Sequence, residues 1–198
     1  MDESHDLPPR QTFLFGFFVE IALVFVAAVI GYLTRGVAFP FRFSLDLEGL
    51  CWGLLATAPL LLLGVLLTAP LGRRFGPFRR IYEKVKSVLG AALCEMSALD
   101  RILLAGAAGI GEEVLFRGVL QTVIGTQGLW LSSVLFGALH ALTFTYAILA
   151  TLLGLYLGWI FERSGNLLAP VLVHAIYDAV ALWLLRRRFL EDRSAADG

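Results

Sequence analysis

The chain has 198 residues, of which 58% are hydrophobic and 16% are charged, and its mean hydropathy is +0.78. A soluble domain carries about 45–50% apolar and roughly 25% charged residues, so this composition predicts an integral membrane protein. The 16 Lys and Arg residues balance the 16 Asp and Glu residues. Without a basic excess to neutralise a phosphate backbone, we expect no nucleic-acid partner. Cys51 and Cys94 are too few for a disulfide framework, and we expect both to be packing residues.

Apolar stretches of about 20 residues predict the membrane-spanning helices. Residues 1–12 carry three acidic side chains and one arginine, and the apolar stretch behind them is long, which argues against a cleaved signal peptide. Residues 129–161 contain no Asp, Glu, Lys or Arg but are too long for one crossing, so we expect a break near 142–146. The predicted spans are 13–33, 50–69, 98–124, 129 to the break, the break to 161, and 167–185, which is closed by Arg186, Arg187 and Arg188.

A different kind of helix is predicted between the second and third spans. Over residues 78–96, apolar side chains recur at helical spacing and basic side chains lie off that face, which is typical of a membrane interface. The basic residues are Arg79, Arg80, Lys84 and Lys86. The predicted fold class is therefore all-α: a polytopic transmembrane helix bundle of about six spans plus one interfacial amphipathic helix, in a single domain over 1–198.

The distribution of Lys and Arg predicts how the chain is oriented in the lipid bilayer. With six spans, one side holds the N-terminus, residues 71–101 and the C-terminus, which together carry 12 basic residues. The loops of the other side carry three. We therefore expect both termini to lie in the cytoplasm.

Two features of the spans have structural interpretations. Glu20 is the only charge in the first span, and we expect it to bond to a neighbouring helix. Three closely spaced glycines in the third span permit close helix packing. These glycines are Gly106, Gly109 and Gly111.

Six ionisable side chains fall inside apolar helices, where a charge is costly. They are Glu112, Glu113, Arg117, His140, His174 and Asp178. Counted from the non-cytoplasmic ends of their spans, Glu112, His140 and Asp178 lie roughly 16–20 Å deep and His174 roughly 10 Å deep. Three helices thus bring ionisable groups to overlapping depths, which predicts a functional site.

Spacing within the helices assigns partners to these side chains. Glu113 and Arg117 are four residues apart and can pair on one helix face. Glu112 points about 100° away from that face and lacks this partner, which makes it the candidate general base. His174 and Asp178 are also four residues apart, so both can face one cavity.

Two functions are open to the histidines. Together with Glu112, His140 and His174 have the ligand types that hold a divalent metal such as zinc. The same groups are equally suited to hold a water and a developing oxyanion in a metal-free mechanism.

The same residues form three motifs that resemble those of one family. Residues 111–118 read GEEVLFRG and fit EExxxR, residues 136–140 read FGALH and fit FxxxH, and residues 174–178 read HAIYD and fit HxxxN/D. In this order they resemble the CPBP family of CAAX prenyl proteases and bacteriocin-processing membrane endopeptidases, over a core of about 98–185. Asp178 stands where Asn is commoner in that family, which adds a negative charge.

The resemblance implies an intramembrane endopeptidase that acts on a membrane-associated or lipidated peptide or protein. Glu112 would activate water, His140 and His174 would bind a metal or stabilise the oxyanion, and Asp178 would support them. Arg117 would hold Glu113. A prenylated tail, a bacteriocin leader and a membrane-anchored regulator all fit as substrates of this class.

A different class of function is the alternative: a proton-coupled transporter or a non-catalytic membrane-protein partner, since transporters also hold carboxylates and histidines at this depth. No HExxH, GxSxG or GxGD motif points to another type of protease. For the endopeptidase we predict a water-filled cavity that opens to the cytoplasm, flanked by the helix 78–96 and the break at 142–146.

Overall fold

A computed structural model of the chain describes residues 8–69 and 74–196, and this part is helical without any β-strand. The all-α fold class is thereby confirmed. The α-helices of the described part are α1 (Pro9–Arg35), α2 (Leu47–Thr68), α3 (Gly76–Glu95), α4 (Ala98–Glu113), α5 (Gly128–Leu139), α6 (Phe144–Ser164) and α7 (Leu168–Ala196). Between α4 and α5 the chain continues through a π-helix (Val114–Gln121), a short α-turn (Thr122–Ile124) and a 3₁₀ turn (Gly125–Gln127).

Five helical stretches of the described part are long and apolar enough to cross a membrane. They are α1, α2, the combined stretch Ala98–Leu139, α6 and α7. The combined stretch folds back on itself at Gly125, which has a φ of +77°, so that the rings of Phe116 and Phe136 lie 5.1 Å apart. Its second arm, α5, is only roughly 18 Å long, short of the ~30 Å hydrocarbon core. The described part therefore has five long apolar stretches where six spans were predicted. The third and fourth predicted spans form one hairpin, and the second arm of that hairpin is short.

The predicted helix 98–124 is present, but its winding changes in the middle. It is α-helical to Glu113 and π-helical over Val114–Gln121. A π-helix widens each turn and rotates the following side chains relative to an α-helix, and such segments are frequent at functional sites. The change falls directly after Glu112 and Glu113, so it helps to set the directions in which the EExxxR side chains point.

Two glycines allow α4 to touch its neighbours. Gly111 packs against the backbone carbonyl of Glu20 in α1, where a Cβ would collide with the oxygen. A Cβ at Gly109 would come within 2.8 Å of the Cβ of Ala175 in α7. The packing prediction is confirmed at these two glycines and wrong at Gly106, where a Cβ would meet nothing within 4 Å.

Glu20 does not make the hydrogen bond that the sequence suggested. Its Oε2 is buried without a hydrogen-bond partner among the residues that the structure describes. The close contact at this point of α1 comes from the Glu20 backbone, because Gly111 has no side chain to keep the two helices apart.

The amphipathic helix predicted at 78–96 is α3, and its apolar face is covered by protein. Tyr82 is buried and its ring lies 5.3 Å from that of Phe189 in α7. Tyr82 Oη and Lys86 Nζ both donate to Asp192 Oδ2 at 2.8 Å. Helix α3 is therefore fastened to the C-terminal part of α7, and it is not among the described helices apolar enough to span a membrane.

Helix α7 continues past the arginines that were expected to close it. The apolar stretch ends near residue 185, but the helix runs on to Ala196. Arg187 and Arg188 lie 3.1 and 2.7 Å from Glu191, one turn further on, and such pairs favour continuation of the helix. The arginine run thus ends the apolar stretch and not the helix.

The start of α7 is fixed by Asn166. Its Nδ2 donates to the Ser44 carbonyl at 2.7 Å, and its Oδ1 accepts from the backbone N–H groups of Ser44 and Leu168, both at 3.1 Å. Asn166 is buried, so these bonds tie the segment before α2 to the helix that carries two of the candidate site residues.

The two cysteines differ in environment. Cys94 is buried with Tyr82 and Phe189, as a packing residue should be. Cys51 is exposed on α2, so its assignment as a packing residue is wrong. In a membrane protein the outer helix faces are apolar too, and an apolar neighbourhood in the sequence therefore does not imply burial.

Candidate active site

Three helical segments bring Glu112, His140 and His174 together. Glu112 lies near the end of α4, His140 directly follows α5, and His174 lies in α7. His140 Nε2 is 3.5 Å from Glu112 Oε1, and His174 Nε2 is 3.7 Å from Glu112 Oε2. The Glu112 carboxylate, which has no ion-pair partner on its own helix, thus lies against two imidazoles from other helices.

Both imidazoles are anchored through their Nδ1 atoms. His140 Nδ1 lies 2.8 Å from the carbonyl oxygen of Phe136, and His174 Nδ1 lies 2.8 Å from Glu113 Oε1. Because a carbonyl and an ionised carboxylate only accept hydrogen bonds, both Nδ1 atoms carry the donated proton. Each ring therefore turns its Nε2 toward Glu112.

Glu113 and Arg117 form a fully buried pair beneath the histidines. Arg117 Nε lies 3.2 Å from Glu113 Oε2, so the pair expected from their spacing is formed. Arg117 Nη2 also donates to the Gly154 carbonyl of α6 at 3.1 Å, and its guanidinium lies 4.6 Å from the centre of the Phe136 ring. Glu113 therefore orients His174 while Arg117 orients Glu113.

Asp178 completes the cluster. Its Oδ2 lies 3.5 Å from His174 Nε2, one turn along α7. All six residues singled out in the sequence thus lie in one connected group, in which His174 contacts Glu112, Glu113 and Asp178. The contact between His174 and Glu113 was not foreseen, because it joins residues 61 positions apart and leaves no periodic signal.

The predicted metal ligands have suitable donor types. A metal-binding imidazole usually donates its other ring N–H to a carboxylate or carbonyl, as both histidines do here. Within residues 8–69 and 74–196, however, no group of three or more His, Cys, Asp or Glu side chains is arranged so that it could hold a metal ion.

A cavity of about 270 Å³ opens beside the cluster. Glu112, His140, His174 and Asp178 line it, and most of its other walls are apolar. It is bounded by α3 and by the break between α5 and α6, which are the two segments expected to flank it. The break spans residues 140–143 and lies slightly before the predicted 142–146.

Two phenols in this cavity were missed by the sequence reasoning. Tyr146 stands in the first turn of α6, and Tyr177 directly precedes Asp178. No catalytic or binding role was predicted for either phenol. The available signal was position, because Tyr146 lies next to the predicted break and Tyr177 lies inside the HxxxN/D motif.

Comparison with known proteins gives the class of this site. Residues 94–180 match the family model of the type II CAAX prenyl endopeptidases, Rce1-like, and this range includes all six clustered residues. The resemblance of this part of the chain to the CPBP family is thereby confirmed.

A relative and the solved structures complete the comparison. Over 75 residues the chain is 47% identical to the uncharacterised protein YpbD of Bacillus subtilis (strain 168). The match covers 35% of this chain and 36% of YpbD, so the chain spans about a third of the length of that relative. No solved structure matches the chain.

Proposed function

We propose that this protein is an intramembrane endopeptidase that hydrolyses a peptide bond of a membrane-associated or lipidated substrate. Glu112 takes a proton from a water molecule, and the oxygen of that water attacks the peptide carbonyl carbon. The carbon–nitrogen bond then breaks, and the same proton passes from Glu112 to the leaving amine. His140 and His174 hold the water next to Glu112, and Asp178 supports His174.

The observation that carries this proposal is the convergence on Glu112. Three helical segments place a carboxylate and two anchored imidazoles within 3.5–3.7 Å at the wall of one cavity. A structural lock would need only one partner for Glu112. The apolar walls of the cavity suit a substrate whose cleavage site lies next to a lipid or an apolar side chain.

Replacement of Glu112 by Gln tests the assigned base. The purified protein is reconstituted in liposomes with a fluorogenic peptide that ends in a farnesylated CAAX sequence, and with the same peptide lacking the farnesyl group. We expect Glu112→Gln to lower hydrolysis about 10³-fold, because a general base typically contributes 10²–10⁴-fold. Glu83→Gln, which removes an exposed carboxylate of α3, should leave the rate unchanged.

Two results would contradict the proposal. Full hydrolysis by a correctly folded Glu112→Gln protein would remove Glu112 from its assigned role. Failure of the wild-type protein to hydrolyse either peptide would reject a CAAX-type specificity.

A divalent metal such as zinc at His140, His174 and Glu112 stays a prediction, and the proposed reaction does not depend on it. The metal content of the purified protein, measured before and after chelation beside the peptide assay, tests it. Loss of activity on chelation and its return with zinc would support a metal enzyme. Full activity of metal-free protein would reject one.

We further propose that both termini lie in the cytoplasm and that the cavity opens to that side. Phe144 is 83% exposed at the break beside the cavity. In a variant in which Cys51 and Cys94 are replaced, the cysteine of Phe144→Cys should react with a membrane-impermeant thiol reagent from the cytoplasmic side. Labelling from the opposite side alone would show that the topology is the reverse of the one proposed.

A further inference from the structure

Hydrolysis of a peptide bond places negative charge on the carbonyl oxygen, and enzymes stabilise that charge with hydrogen-bond donors fixed in advance. The donors around the present cavity are scarce. Both histidine Nδ1–H groups are already committed, to Phe136 and Glu113. Any proton on the Nε2 atoms faces a carboxylate, of Glu112 or Asp178. An ionised Asp178 accepts hydrogen bonds and donates none.

Three phenols line the cavity, and they differ in what their hydroxyl groups do. Tyr82 already donates to Asp192. Tyr177 packs with its ring against Gly64 of α2 and belongs to an apolar cluster with Leu60. Only Tyr146 combines a place beside His140 with a hydroxyl that has no hydrogen-bond partner among the described residues.

The position of Tyr146 is set by its own helix. Thr143 is the N-cap residue of α6, and its side chain accepts a hydrogen bond from the Tyr146 backbone N–H at 3.1 Å. The Tyr146 ring stands edge-on to the His140 ring, with the centroids 6.4 Å apart. Tyr146 lines the same cavity as Glu112 and Asp178.

We propose that Tyr146 is a further catalytic residue, whose phenol O–H donates a hydrogen bond to the carbonyl oxygen of the scissile peptide bond as that oxygen becomes negative. This inference rests on the proposed endopeptidase function. The phenol keeps its proton throughout, since the proton that reaches the leaving amine comes from water by way of Glu112. Tyr146 thus supplies the neutral donor that the carboxylates and the anchored imidazoles do not.

Loss of this hydroxyl should lower kcat and leave KM nearly unchanged, because the hydrogen bond strengthens only in the transition state. For Tyr146→Phe we expect kcat on the farnesylated CAAX peptide to fall about 10²-fold, as for other single oxyanion donors. The matched control is Tyr156→Phe, which removes a phenol of the same helix that donates to the Ala56 carbonyl away from the cavity. Its kcat should equal that of the wild type.

A second variant separates this role from packing. Fluorinated tyrosines incorporated at position 146 keep the ring and the hydroxyl but change the acidity of the phenol. A donor to the oxyanion predicts that kcat follows that acidity while KM stays constant, and a packing role predicts no such dependence. An unchanged kcat in Tyr146→Phe, a change in KM alone, or no dependence on phenol acidity would overturn the proposal.

The two proposals fail in different ways. If Glu112→Gln is inactive and Tyr146→Phe has wild-type kcat, the role of Tyr146 is wrong and the endopeptidase stands. If Glu112→Gln is fully active, the role of Glu112 as the base is wrong. If the wild-type protein hydrolyses neither peptide, the CAAX-type endopeptidase fails and the role of Tyr146 on that substrate fails with it.

Discussion

The ion pair beneath the candidate site and the ion pair that fastens α3 to α7 differ far more in burial than in distance. Arg117 Nε lies 3.2 Å from Glu113 Oε2, and neither side chain is exposed at all. Lys86 Nζ lies 2.8 Å from Asp192 Oδ2, but 34% and 26% of the two side chains are exposed. The pair of Lys86 and Asp192 is therefore the shorter one, but it is also the pair in which water can take the place of either partner.

This difference separates a group that shapes the site from one that adds modestly to the fold. Removal of one partner from a buried pair leaves an uncompensated charge, whereas an exposed pair exchanges its partner for water at little cost. Glu113 also holds the His174 imidazole, so a change at Arg117 reaches the site through one intermediate side chain. Burial, rather than distance, ranks the two pairs.

The largest effect is expected for Arg117→Leu. The substitution leaves the Glu113 carboxylate buried without its partner and removes the bond to the Gly154 carbonyl. We expect the free energy of unfolding to fall by about 3–5 kcal/mol. Unfolding of the purified protein by SDS titration, followed by circular dichroism, measures this change.

The double variant Arg117→Leu with Glu113→Leu sharpens the test. Replacing both partners by apolar side chains removes the uncompensated charge, so most of the lost stability should return. Hydrolysis should not return, because the His174 Nδ1–H then has no carboxylate to hold it. A double variant that is as unstable as Arg117→Leu alone would contradict this account of the pair.

The sequence predicted those features that depend on local spacing. The pair of Glu113 and Arg117 follows from a separation of four residues, and the break in 129–161 follows from the length of one membrane crossing. The all-α class follows from composition and the lengths of the apolar stretches. The three motifs indicated which residues form the cluster, since each lies on a separate apolar helix.

The features that the sequence did not predict depend on how helices rotate about their axes and face one another. The bond from His174 to Glu113 requires α4 and α7 to meet with matched faces, and no spacing within either helix specifies this. The π-helical winding at Val114–Gln121 has no distinct apolar period in so short a segment. The exposure of Cys51 could not be predicted from the sequence either, because apolar side chains face both the core and the lipid.

The smallest effect is expected for Lys86→Met. Methionine keeps most of the apolar stem of the lysine side chain, and it removes only the charge. Asp192 still accepts from Tyr82 at 2.8 Å and is reachable by water. We expect the free energy of unfolding to fall by less than about 1 kcal/mol in the same SDS titration, as for other partly exposed pairs. Hydrolysis of the farnesylated peptide should stay near the wild-type rate, because α3 contributes apolar walls to the cavity through side chains that the substitution leaves in place. A loss as large as that of Arg117→Leu would show that burial does not rank the two pairs, and that the attachment of α3 to α7 is as important to the fold as the buried pair beneath His174.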